Sequence, residues 1–92
     1  MIIFNQFTPK PHATKEEMTE MMAKFAEVGT GEGTVLGHYL KTDGSGAFNI
    51  VEVDDMNSVY RTALEYLPFM EIESTPVIDI ENGVTQIMDY LS

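Results

Sequence analysis

Two stretches of this 92-residue chain repeat their apolar residues with the period of a helix, and a glycine-centred turn between two β-rich runs separates them. That succession of periods constrains the fold more than any single motif. In the first stretch Met18, Met21, Met22, Phe25 and Val28 form one apolar stripe. Thr14 and Glu17 stand ahead of it in the spacing of a capping box and Gly29 stops it, which predicts a helix from Thr14 to Gly29. In the second, Met56, Val59, Tyr60, Ala63, Leu64 and Leu67 share a face. Asp54 or Asp55 caps that helix and Pro68 closes it.

The β-rich runs, residues 34–42 and 46–53, flank Asp43-Gly44-Ser45-Gly46, a hairpin signature in which glycine supplies positive φ. Residues 2–8, IIFNQFT, read as a strand halted by Pro9 and Pro11. Residues 69–80, FMEIESTPVIDI, read as a last strand whose Pro76 belongs at a sheet edge or a bulge. After Asn82-Gly83, the residues Val84, Ile87, Met88 and Leu91 predict a helical turn or two. The order is β-α-β-β-α-β with a helical tail. It predicts one α+β domain over residues 1–92, ferredoxin-like, with an antiparallel sheet in strand order 4-1-3-2. That order places the proline-bearing strand at an edge.

A chain this short buries only roughly 60 to 65% of the surface its unfolded form exposes, so its core is thin. The hairpin is apolar on both sides: Leu36, Leu40, Val51 and Val53 on one, Val35, Tyr39, Phe48 and Ile50 on the other. A sheet with one face in water would alternate cleanly with polar residues. The second face therefore predicts an isologous homodimer, a dimeric α+β barrel with two sheets face to face.

Fifteen acidic against five basic residues give a net charge of −10, and no base follows Arg61. Nucleic acid and anionic membrane are poor partners, because binding either rests on Lys and Arg neutralising phosphate. The acids are dispersed and lack calcium-loop spacing, so they serve solubility. Cysteine is absent, which excludes disulfides, thiolate zinc and thiol nucleophiles. His12 and His38, separated by a helix and without carboxylates at ligand spacing, do not make a metal site, and no cofactor is expected. The opening MIIFNQFTPK has neither the basic region of a signal peptide nor an apolar run long enough to span a membrane, which predicts a cytoplasmic protein.

The run L-G-H-Y-L-x-x-D-G-S-G-A-F-x-I-V-E-x-D-D (Leu36 to Asp55), with E-S-T-P-V-I-D (Glu73 to Asp79), resembles a family of short bacterial domains of unknown function in the dimeric α+β barrel superfamily. The resemblance covers most of the chain and implies fold and dimerisation. The chain departs from that family's pattern at His38, where a basic residue is common, and at Leu40, where a histidine is common. The superfamily includes cofactor-independent monooxygenases, polyketide cyclases, haem-degrading enzymes and muconolactone-isomerase-like proteins, with ligands between sheet and helices. The resemblance thus implies a small apolar or aromatic ligand. A haem-degrading relative would carry a tryptophan on the sheet and a histidine on the second helix, and this chain has neither.

The residues add candidates for such a site. Pairing across an even-length turn brings His38 and Asn49 onto one face, opposite or diagonal, and Asn5 of the first strand joins them if strand parity permits. Histidine exchanges protons near neutral pH, so this trio suits orienting a carbonyl or enol with His38 as base; the alternative is a hydrogen-bonded or half-solvated histidine on an edge strand. Tyr39 and Glu52 form an acid-base pair if the second face holds a cavity, or else interface hydrogen bonds. Arg61 is expected to pair with Glu65 at i+4. The glycines Gly29, Gly31, Gly33, Gly44 and Gly46 fit no phosphate-binding pattern and read as turns. Five of the seven methionines, Met18, Met21, Met22, Met56 and Met88, fall on stripes expected to face the sheet, a deformable lining for a flat ligand or plain gap-filling. Three functions fit: a dimeric binder of a small apolar ligand, a cofactor-free enzyme, or an interaction module whose acidic end meets a basic partner.

Overall fold

The computed structural model describes residues 1–92 as β1 (Ile2–Pro9), α1 (Lys15–Val28), β2 (Thr34–Leu40), β3 (Ala47–Glu52), α2 (Met56–Tyr66), β4 (Met70–Val77) and α3 (Ile80–Leu91). Every strand pair is antiparallel and the sheet runs β2-β3-β1-β4, the expected order read from its other edge. Pro76 accordingly lies on edge strand β4, opposite Ile3, where its missing donor interrupts no ladder.

Local chemistry starts and stops α1 where the sequence pattern does. The Thr14 hydroxyl accepts from the Glu17 backbone N–H at 3.1 Å while the Glu17 carboxylate accepts from the Thr14 N–H at 3.3 Å, a reciprocal cap. At the other end Gly29, at φ 67°, donates its N–H to the Phe25 carbonyl at 2.7 Å. The α2 cap is Asp55, accepting from the Asn57 N–H at 2.9 Å.

In the hairpin the Gly44 N–H bonds the Lys41 carbonyl at 3.1 Å, and the Asp43 carboxylate accepts from the Ser45 N–H and hydroxyl at 3.0 and 2.7 Å. Those donors hold the Asp43 carboxyl below the usual carboxylate range. Gly46, at φ 146°, passes so close to β1 that a Cβ there would stand 2.1 Å from the Phe7 carbonyl oxygen. Six residues separate β2 from β3, an even number, so His38 pairs with Asn49.

Several expectations are corrected. A β-bulge lies between Val35 and Gly37, so Val35 pairs with Val51 and joins the helix-facing side, leaving Tyr39, Phe48 and Ile50 on the outer one. The last strand stops at Val77: Asp79 accepts from the Asn82 N–H at 2.8 Å and caps a twelve-residue helix that runs through Gly83, so residues 78–80 do not continue β4 and Gly83 is no break. Glu65 pairs with Lys24 of α1 at 3.4 Å, not with Arg61. Of the five methionines, Met21 and Met22 line the space above the sheet, Met18 and Met56 are exposed, and Met88 sits on α3, which packs against no other element.

Only six of 92 residues are buried: Ile3, Val51, Val53 and Tyr66, with the polar Asn5 and Asn49. The core is one small cluster, Ile3, Val51 and Val53 with Val59 of α2 against it, at one end of the sheet.

Candidate functional site

The four strands each contribute one polar side chain at the same level. His38, Asn49, Asn5 and Ser74 are successive register partners across β2, β3, β1 and β4, a rank about 14 Å wide at normal strand spacing. The rank on one side of it is Val35, Val51, Ile3 and Pro76, and that on the other is Leu40, Ala47, Phe7 and Ile72. Amides confined between apolar rows must satisfy one another. The Ser74 hydroxyl donates to Asn5 Oδ1 at 2.6 Å, and Asn5 Nδ2 donates to Asn49 Oδ1 at 2.8 Å. The chain of bonds runs one way and leaves Asn49 Nδ2, a donor, beside His38.

Above this rank the helices do not close down on the sheet. Between them and the sheet lies an open-sided cavity of about 400 Å³, 14 of whose 22 lining residues are hydrophobic. That volume lies within the ~300–1,000 Å³ range of small-molecule sites. Met21, Met22 and Phe25 of α1 and Val59, Ala63 and Tyr66 of α2 form its roof. The His38 ring stands between Phe7 and Phe25, with centroids at 6.5 and 6.1 Å. Asn49 has no sealed side-chain atom left without a partner, so its free Nδ2 faces open space, and His38, on the edge strand, is exposed. Tyr66 turns its hydroxyl to the Gly29 carbonyl, and burial together with neighbouring Glu65 pushes that phenol's pKa up.

Of the residues singled out in the sequence, Asn5, Asn49 and His38 come together on this face. Tyr39 and Glu52 point to the other face and do not meet. Tyr39 pairs with Phe48 and Glu52 with Thr34 and Ile2, four positions apart on β3, or about 13 Å along the strand. Tyr39 instead stacks on Phe48 at 5.4 Å, which meets Phe4 at 5.7 Å, an aromatic row on the outer face. His12 is exposed in the loop before α1, at φ 62°. No three His, Asp or Glu side chains converge as a metal-ligand set, and no helix is long and apolar enough to cross a membrane. Nothing in the sequence pattern marks Ser74 or Tyr66. Ser74 shares a face with Pro76 two residues on, but only the register of β4 against β1 aligns it with Asn5.

The sequence matches the family model for a domain of unknown function, DUF3303, over residues 1–90. No curated protein matches it. Among solved structures, the chain is similar to muconolactone isomerase, with a TM-score of 0.61 and 16% identity over 86% of this chain and 90% of that one. It is also similar to the 5-chloro-2-hydroxyhydroquinone dehydrochlorinase of Burkholderia phenoliruptrix AC1100, solved with 2,5-dihydroxybenzoquinone, with a TM-score of 0.54 and 12% identity over 89% and 98% of the two chains. At these identities the likeness is one of fold, the ferredoxin-like α+β arrangement.

Proposed function

The chain belongs to the DUF3303 family of domains of unknown function, and we propose that it is a cytoplasmic homodimer that binds a small, flat, apolar or aromatic molecule between sheet and helices. The observation that carries this reading is the polar rank under apolar walls. Asn5 and Ser74 orient Asn49 so that its Nδ2 donor, beside His38, meets an oxygen on an otherwise apolar ligand. Dimerisation is supported by the aromatic row Phe4, Phe48 and Tyr39 on a sheet face that no element of the chain covers.

A second reading, cofactor-free isomerase, cyclase or monooxygenase chemistry at the same place, is favoured by one feature. His38 stands without a protein partner next to a fixed amide donor, an arrangement suited to moving a proton on a bound enol or phenol.

The binding reading is tested with naphthalene and 1-naphthol. Both are expected to raise the melting temperature, 1-naphthol more, because a hydrogen bond to Asn49 is worth about 1 kcal/mol, or ~5-fold in affinity. Asn49→Leu and the less buried His38→Leu are each expected to narrow that gap. If neither probe shifts the melting temperature, or if the gap survives both substitutions, the assignment fails. Phe48→Glu is expected to weaken association through the outer face, raising the protein concentration needed to hold the native mass at two chains.

A further inference from the structure

Helix α3 leaves β4 through Ile78 and Asp79 alone and touches no other element, drawing the chain out to 57 Å against 27 and 17 Å in the other directions. Ile80, Val84, Ile87, Met88 and Leu91 form a single stripe along it and are 46–79% exposed. A twelve-residue helix is not stable in water by its own hydrogen bonds, so this stripe is half of an interface.

The surface that matches it is the open side of the cavity, between α1 and edge strand β2. Leu40, Met22 and Phe25 line the cavity there, yet are 82%, 58% and 40% exposed. The chain's own α3 does not reach that mouth. It leaves β4 through Ile78 and Asp79 and lies against no strand or helix of its own chain. The mouth lies at the opposite edge of the sheet, about 14 Å away, and α2 stands over β4 in between.

Charge agrees with an occupant in trans. Asp79, Glu81 and Asp89 accompany the stripe without a base among them, and Lys41 stands next to Leu40 at the mouth, although α1 beside it carries Glu16, Glu17, Glu20 and Glu27 against Lys15 and Lys24 and only the Lys41 side offers the acids a partner. Area agrees too. Five apolar side chains at roughly 100 Å² each give on the order of 500 Å² per helix. Two reciprocal contacts then remove on the order of 2,000 Å², the size of a stable interface.

We propose that α3 is the lid of a second copy's cavity: each chain lays its apolar stripe across the α1–β2 mouth of the other, and each site is closed by both chains. The lid shares with the reading above only the presence of a second copy and does not depend on what the cavity holds. The chain has no cysteine, so single sites report without background. Full-length Met22→Cys and Ile87→Cys proteins are mixed and treated with a short bis-maleimide, and Met22→Cys with Glu71→Cys, on the outer face of β4, serves as the control. The expected result is that mixed-chain product dominates for Met22 with Ile87 and stays minor for the control. Adding Val84→Glu to the Ile87→Cys chain, on a helix that contacts no other element of its own chain, is expected to abolish the product. Equal yields in the two mixtures overturn the lid. If the native mass is then still dimeric, the sheet-face dimer stands without it.

Discussion

Replacing Asn5 by alanine tests whether the buried amide rank is a structural unit. The substitution removes both bonds that Asn5 makes, from the Ser74 hydroxyl at 2.6 Å and to Asn49 Oδ1 at 2.8 Å. Ser74 stands on an edge strand and rehydrates, so its loss is that of an ordinary hydrogen bond, about 1 kcal/mol. Asn49 is only 3% exposed and keeps an unpaired acceptor, which costs a further ~1–3 kcal/mol. The sum, about 2–4 kcal/mol, is a large share of the ~5–14 kcal/mol expected of a chain this long. It corresponds to a melting point lower by at least ~8 °C. Urea titration at fixed protein concentration measures it as a lower midpoint with unchanged slope. Asn49→Ala in the Asn5→Ala background removes the orphan itself, so the double variant is expected to cost ~1–2 kcal/mol less than the two single costs added. A cost for Asn5→Ala below ~0.5 kcal/mol, or strictly additive costs, would mean that cavity water satisfies these amides and that Asn5 does not orient Asn49.

Two further outcomes follow from local geometry. Gly46→Ala sets a Cβ 2.1 Å from the Phe7 carbonyl oxygen at φ 146°, so hairpin and β1 must part; a loss of ~3 kcal/mol or more by urea titration is expected, and a near-neutral result refutes that close approach. Burial raises the Tyr66 pKa, so between the ordinary value near 10 and the raised one the folded chain holds a proton that the unfolded chain has lost, and stability falls as pH rises. Tyr66→Phe is expected to cost about 1 kcal/mol at neutral pH, through the lost bond to Gly29, and to flatten that alkaline decline in thermal melts between about pH 9 and 11.

Where the sequence carried its own local chemistry, the fold was legible in it. Thr14, Glu17 and Gly29 bound α1 through bonds within a few residues, and Pro76 selects an edge. The even turn joins His38 to Asn49 by parity alone. Misreadings fell where two local signals competed. The β-branched run Val77-Ile78-Asp79-Ile80 reads as strand, but the Asp79 side chain is placed to cap, and capping decides the boundary. Gly37 inside a strand was the one hint of the bulge that moves Val35 to the other face. The site was half legible for a different reason. Asn5 and Ser74 join the rank through pairings 44 and 69 residues distant in sequence, which no short-range pattern encodes. The cavity depends on how far α1 and α2 stand from the sheet, a property of packing among Met21, Met22, Phe25 and Tyr66 together.

The rank His38, Asn49, Asn5, Ser74 draws one residue from each strand, so the site exists only once the whole sheet has zipped. Asn5 and Ser74 lie near opposite ends of the chain, and their junction is among the slowest kind of contact to form. On the binding role proposed above, a molecule held on that rank would recognise completion: it would bind no partly paired chain and would draw the folding equilibrium toward the finished sheet. Fraying of β4 alone would release Asn5 from Ser74 and loosen the hold on the Asn49 amide.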